Sequence, residues 1–100
     1  MSERLIEVLL VEDNPADVQL TLTALRDARS RNQVHVVTDG EEALTFLKRE
    51  GAHVNAPRSD LVFLGLNLPK VHGYQVLEGV KADPVLRRIP VVAITGSSGK

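Results

Sequence analysis

What most restricts the fold of this 100-residue chain is a regular alternation between two kinds of hydrophobic pattern. Four short, nearly all-apolar runs stand out: IEVLLV (Ile6–Val11), VHVV (Val34–Val37), LVFLGL (Leu61–Leu66) and VVAIT (Val91–Thr95). Apolar runs this short, without polar alternation, suit strands buried on both faces, as in parallel sheets. Between them the apolar residues recur at helical spacing. Val18, Leu22 and Leu25 form one stripe, Ala43, Leu44 and Leu47 a second, and Val76, Leu77 and Val80 a third. The order βαβαβαβ implies an α/β fold, a doubly wound parallel sheet with helices on both faces. Right-handed crossovers then bring the strand C-termini to one edge, where sites form.

Local signals set the helix boundaries. Asn14 is a good N-cap, Pro15 suits the first helical position, and Asp17 adds negative charge to the first turn. That helix is expected to run to about Arg29. Asp39 followed three residues later by Glu42 has capping-box spacing, and opens a helix through Arg49. The segment EGAHVNAPRSD reads as a loop. A third helix is expected from Tyr74 to Ala82, ended by Pro84 because Asp83 is pushed out of helical geometry. Residues 1–100 read as one domain, without repeats or low-complexity segments. A net charge of −1 gives no basic excess to draw the chain to nucleic acid or a membrane surface. Cysteine is absent, so disulfides and thiolate metal sites are excluded. No apolar run approaches the roughly 18 residues needed to cross a bilayer, and no leader pattern opens the chain, so a cytoplasmic location is expected.

Polar residues gather where the strands end. Glu12 and Asp13 follow the first strand, Asn67 comes just after the third, and Thr95 ends the fourth. A carboxylate pair there suits Mg²⁺, which takes oxygen ligands, keeps several waters and accepts a phosphate. A threonine hydroxyl can donate to a phosphoryl oxygen. Simpler readings stand beside these: solvated charges near a helix N-terminus for Glu12 and Asp13, a cap for Asn14, a backbone hydrogen bond for Thr95. His35, His53 and His72 have no ligand-spaced partner, and His53 and His72 read as surface residues. The terminal TGSSGK lacks the spacing of a phosphate-binding loop.

Four segments in order, VLLVEDNPADVQL, VVTDGEEAL, DLVFLGLNLPKVHGYQVL and RRIPVVAITGSS, resemble the receiver domain of two-component response regulators. The wording of NPAD and LNLPK is similar to that of the small single-domain regulators that partner phytochrome-type histidine kinases. The resemblance runs from about Leu5 to Ser98. It implies a CheY-like, flavodoxin-like sheet of order 2-1-3-4, and a signalling role in a phosphorelay rather than an enzyme activity. Receivers take a phosphoryl group from phosphohistidine onto an aspartate at the end of the third strand, with Mg²⁺ held by that aspartate, the acidic pair and a backbone carbonyl.

Carried over by position, Glu12 and Asp13 match the acidic pair, Asn67 the carbonyl donor, Thr95 the switch hydroxyl and Gly96 the small residue beside it. Gly65 stands where the phosphoacceptor belongs. Glycine has no nucleophile, so the resemblance implies a degenerate receiver, with Mg²⁺ binding weakened or lost, that acts through protein contacts. Three carboxylates without metal repel by up to about 4 kcal/mol per pair at about 4 Å and an effective dielectric of about 20, less where solvent screens them. Glycine in a strand costs about 0.5–1 kcal/mol against alanine, so the fold tolerates Gly65 while phosphoacceptance does not.

The family's further helix, fifth strand and last helix are absent from this chain, and Lys100 does not match the family's conserved lysine. The implied partner is a sensor histidine kinase or a downstream protein, docked near Ala16, Gln19, Leu20 and Thr23 of the first helix. Two alternatives remain open: a residual Mg²⁺-dependent acceptor site in which Glu12 or Asp13 reaches into the space Gly65 vacates, and a non-functional fragment of a longer receiver. Strand four is expected to be a sheet edge. No charge interrupts Val91–Ile94, and only Pro90 guards its start, so a homodimer or looser self-association through this edge, or a partly folded chain, is expected. Val76 and Val80 should stay covered, while the face a last helix would shield is left exposed.

Overall fold

Residues Ile6–Val11 form β1, the hub of a four-stranded, all-parallel sheet. The computed structural model describes residues 5–27, 31–65 and 73–94. The remaining strands are β2 (Asn32–Val37), β3 (Leu61–Gly65) and β4 (Val91–Ile94), and the sheet order is β2-β1-β3-β4, as the resemblance implies. Val8, Leu9, Leu10 and Val11 are each at most 1% exposed. That burial is why β1 carries no polar alternation: both of its faces are covered.

Helix α1 (Pro15–Asp27) opens as its cap predicts. The Asn14 Oδ1 accepts from the Ala16 and Asp17 N–H groups at 2.9 and 3.2 Å. Its expected continuation to Arg29 lies outside the described residues. Helix α2 (Gly40–Lys48) is capped by Asp39, whose Oδ1 accepts from the Glu42 N–H at 2.8 Å. It ends one residue before the expected Arg49, which adopts the left-handed conformation at φ 59° and donates its N–H to the Phe46 carbonyl. Helix α3 (Gly73–Ala82) starts one residue earlier than expected. Past it, the Asp83 Oδ1 accepts from the Val85 and Leu86 N–H groups and winds a 3₁₀ turn at Leu86–Arg88 that seats Leu86 in the core.

One core joins Leu9, Val11, Val37, Val62 and Leu64 of the sheet to Ala43, Phe46 and Leu47 of α2 and Val76 and Val80 of α3. Val76 and Val80 are covered, as expected. The opposite sheet face differs. Phe63, Val92 and Ile94 adjoin Leu20, Ala24 and Leu25 of α1 across an open groove of about 320 Å³. Strand four was expected to be an edge with an exposed face, and Val92 is 44% exposed. Among the described residues β4 pairs with β3 alone, and nothing described covers its α1 side. No helix among the described residues is long and apolar enough to cross a membrane.

Candidate functional site

The register of β1 and β3 builds the site. Val11 lies opposite Leu64, so the residue after each, Glu12 and Gly65, meet at the C-terminal edge of the sheet. The Glu12 N–H donates to the Val37 carbonyl at 3.0 Å, which continues the β1–β2 ladder one residue past the strand. Side chains alternate faces along a strand, so Glu12 follows Leu10 and Gly65 follows Phe63 onto the α1 side.

The Glu12 side chain is buried at 6% exposure. Its Oε2 accepts from the Asn14 N–H at 3.1 Å. Its Oε1 occupies the space a side chain at residue 65 would take: a Cβ built on Gly65 would stand 2.6 Å from it, 3.3 Å from the Glu12 Cδ and 3.0 Å from the Val11 carbonyl oxygen. Burial pushes the Glu12 carboxyl above its ordinary range. The charges of Asp17 and Asp13 push the same way, and the Asn14 and Asp13 N–H groups oppose them.

The expectation that Glu12 is a solvated charge is therefore corrected. With no Cβ at residue 65, the end of β3 leaves a slot, and the longer of the two acidic side chains fills it. Asp13 keeps the solvated character expected of it and is exposed, and Asn14 acts as a cap. Thr95, Asn67, Gly96, His72 and Lys100 lie outside the described residues. Among the described residues no three His, Asp or Glu side chains converge on a point that could hold a metal. Asp13 is exposed, and the Glu12 carboxylate is turned into the slot and held by an amide.

The histidines take structural places. His35 Nε2 lies 2.8 Å from the Glu7 Oε1, and His53 Nε2 lies 3.3 Å from the Glu42 Oε2. Both rings pack on Phe46, with centroids 5.4 and 5.1 Å away. His53, read from sequence as a surface residue, is half-buried because the 3₁₀ turn Gly51–His53 folds it back onto α2. On α1, Ala16, Gln19, Leu20 and Thr23 are all exposed, Leu20 at 64%.

Comparison with known proteins follows the same lines. The family model for the response regulator receiver domain matches residues 8–100. The response regulator Rcp1 of Synechocystis is 42% identical over 90 residues, which cover 90% of this chain and 61% of the relative. The chain thus spans about three fifths of the length of that relative. Among solved structures, the phosphorylated cyanobacterial phytochrome response regulator RcpA superposes with a TM-score of 0.88 at 45% identity, over 96% of this chain and 69% of that one. The Mn²⁺-bound form of Rcp1 superposes with a TM-score of 0.87 at 40% identity, over 95% and 68%.

Proposed function

Because the chain belongs to the response regulator receiver family, we propose that it is a two-component signalling module that takes no phosphoryl group at the end of β3 and works through protein contacts. The observation that carries this reading is the Glu12 carboxylate lying in the side-chain space of Gly65. Glycine offers no oxygen to attack a phosphohistidine, and the slot where an acceptor would sit is filled. The same arrangement supports weak or absent Mg²⁺ binding by Glu12, Asp13 and the Asn67 carbonyl, in contrast to the Mn²⁺-bound relative. In this reading residues 1–100 act as one receiver-like domain without enzymatic activity, and Thr95 has no phosphoryl group to grip.

The proposed partner is a sensor histidine kinase of the phytochrome type or a protein downstream of it. The likeness to a phytochrome response regulator and the exposed Ala16, Gln19, Leu20 and Thr23 of α1 support it. A cytoplasmic location goes with such a partner. A homodimer through β4 is a further part of the proposal, supported by the exposed Val92 beside the open groove.

A second reading makes Glu12 the acceptor: the P–N bond of phosphohistidine would break as an acyl phosphate formed on a Glu12 oxygen. Its position in the slot favours this reading. Its burial and its engagement with the Asn14 N–H disfavour it, since a donor must reach the carboxylate and an elevated carboxyl is less often ionised.

An NMR titration with a labelled, phosphorylated kinase dimerisation domain and Mg²⁺ tests the main reading. Amide shifts at Ala16, Gln19, Leu20 and Thr23 are expected, with the label retained by the kinase. Transfer of the label to this chain, or no shift on α1, would count against it.

A further inference from the structure

Building on the receiver reading, we propose that residue 65 controls divalent-cation binding by a steric route: the missing Cβ lets Glu12 fold into the slot and withdraws it from the cation. The distances make the argument. A Cβ at residue 65 would stand 2.6 Å from the Glu12 Oε1, nearer than such atoms approach in real structures. Any side chain there must therefore expel the carboxylate. Expulsion is easy, because the displaced atom is the tip of a flexible side chain. The Val11 carbonyl, at 3.0 Å from the same Cβ, is backbone and has to yield only a few tenths of an ångström. Once out of the slot, the Glu12 carboxylate shares the sheet edge with the exposed Asp13.

The consequence runs against ligand counting. Gly65→Ala adds no oxygen, yet it should tighten cation binding. The apparent Kd is the intrinsic value divided by the fraction of molecules in the competent form, so for a parent chain with Glu12 turned out in on the order of one molecule in ten, expelling it from all of them lowers Kd by about 10-fold. The donor set of the parent chain looks too poor for Mg²⁺ because one of its members is diverted.

Mn²⁺ alone is the probe, added to the full 100-residue chain, with free Mn²⁺ read by electron paramagnetic resonance. The chains compared are the parent, Gly65→Ala, and Gly65→Ala combined with Glu12→Gln. The expected result is tighter binding by Gly65→Ala and loss of that gain on adding Glu12→Gln. Equal or weaker binding by Gly65→Ala, no measurable binding by either chain, or a gain that survives Glu12→Gln would overturn the proposal. Should Gly65→Ala fail to fold, a nuclear Overhauser contact between the Glu12 γ-methylene and the Gly65 α-protons in the parent chain decides, and its absence overturns the proposal. Phosphorylation of the parent chain by a kinase would sink the reading of an inactive acceptor and leave this comparison intact, so the two failures are distinguishable.

Discussion

Gly65→Asp should make the stability of the domain depend on Mg²⁺. The new Cβ stands 2.6 Å from the Glu12 Oε1, so Glu12 must leave the slot, and three carboxylates then share the sheet edge. At about 4 Å and an effective dielectric of about 20, each pair repels by up to about 4 kcal/mol. Asp13 is exposed, and with Glu12 expelled from the slot all three carboxylates meet solvent, which reduces each of the three pairs to roughly 1 kcal/mol or less. Replacing a strand glycine returns about 0.5–1 kcal/mol. A net loss of about 1–2 kcal/mol without metal is expected, and each kcal/mol lowers Tm by roughly 4–8 °C in a domain of this size. Mg²⁺ at about 100 times its Kd should restore about 2.7 kcal/mol. The parent chain, with its diverted Glu12, should gain far less. Differential scanning calorimetry of both chains, with and without MgCl₂, measures this. A variant that melts with the parent and ignores Mg²⁺, or a parent stabilised as much as the variant, would refute the electrostatic reasoning.

Glu12→Gln tests the buried carboxyl. A carboxyl raised in the folded state favours folding below its unfolded pKa of about 4.5, and that contribution is lost as pH rises through the folded value. The variant should therefore lose this component of the pH dependence and gain about 1 kcal/mol at neutral pH, read by urea unfolding between pH 4 and 8. An unchanged pH profile would mean that Glu12 is solvated. Asp39→Ala removes the acceptor for the Glu42 N–H and should cost about 1 kcal/mol, visible as a lower urea midpoint at unchanged slope. Val92→Lys places a charge on the exposed face of β4 and should reduce self-association in light scattering, whereas unchanged association would place the contact elsewhere.

The fold was legible because its signals are local and agree with one another. The unbroken apolar run Ile6–Val11 marks the central strand, and the Asn14 and Asp39 caps start their helices as their spacing indicates. What escaped was decided by tertiary packing. Phe46 lies beyond the Ala43, Leu44, Leu47 stripe, yet it is buried because the His35 and His53 rings close over it from β2 and from the turn after α2. The turn Leu86–Arg88 was missed because Asp83 was read only as the residue before a proline, not as the acceptor for two amides beyond it. At the site, the positions of Glu12 and Gly65 followed from the strand ends, but the orientation of the Glu12 carboxylate did not. It depends on the β1–β3 register, which sets a long acidic side chain beside a glycine on the same face. The signal was present as a pair, a glutamate one residue beyond one strand and a glycine ending its neighbour.

In the proposed reading no carboxylate of this chain accepts a phosphoryl group. Borohydride trapping after phosphotransfer tests it most directly, because reduction converts an acyl phosphate to an alcohol at the residue that carried it. The parent chain is incubated with autophosphorylated histidine kinase and Mg²⁺, reduced, digested and mapped by mass spectrometry, with the label on the kinase confirming the donor. Unmodified Glu12 and Asp13 and no reduced carboxyl elsewhere in the chain are the expected result. A reduced residue at Glu12 would contradict it and establish the buried glutamate as the acceptor.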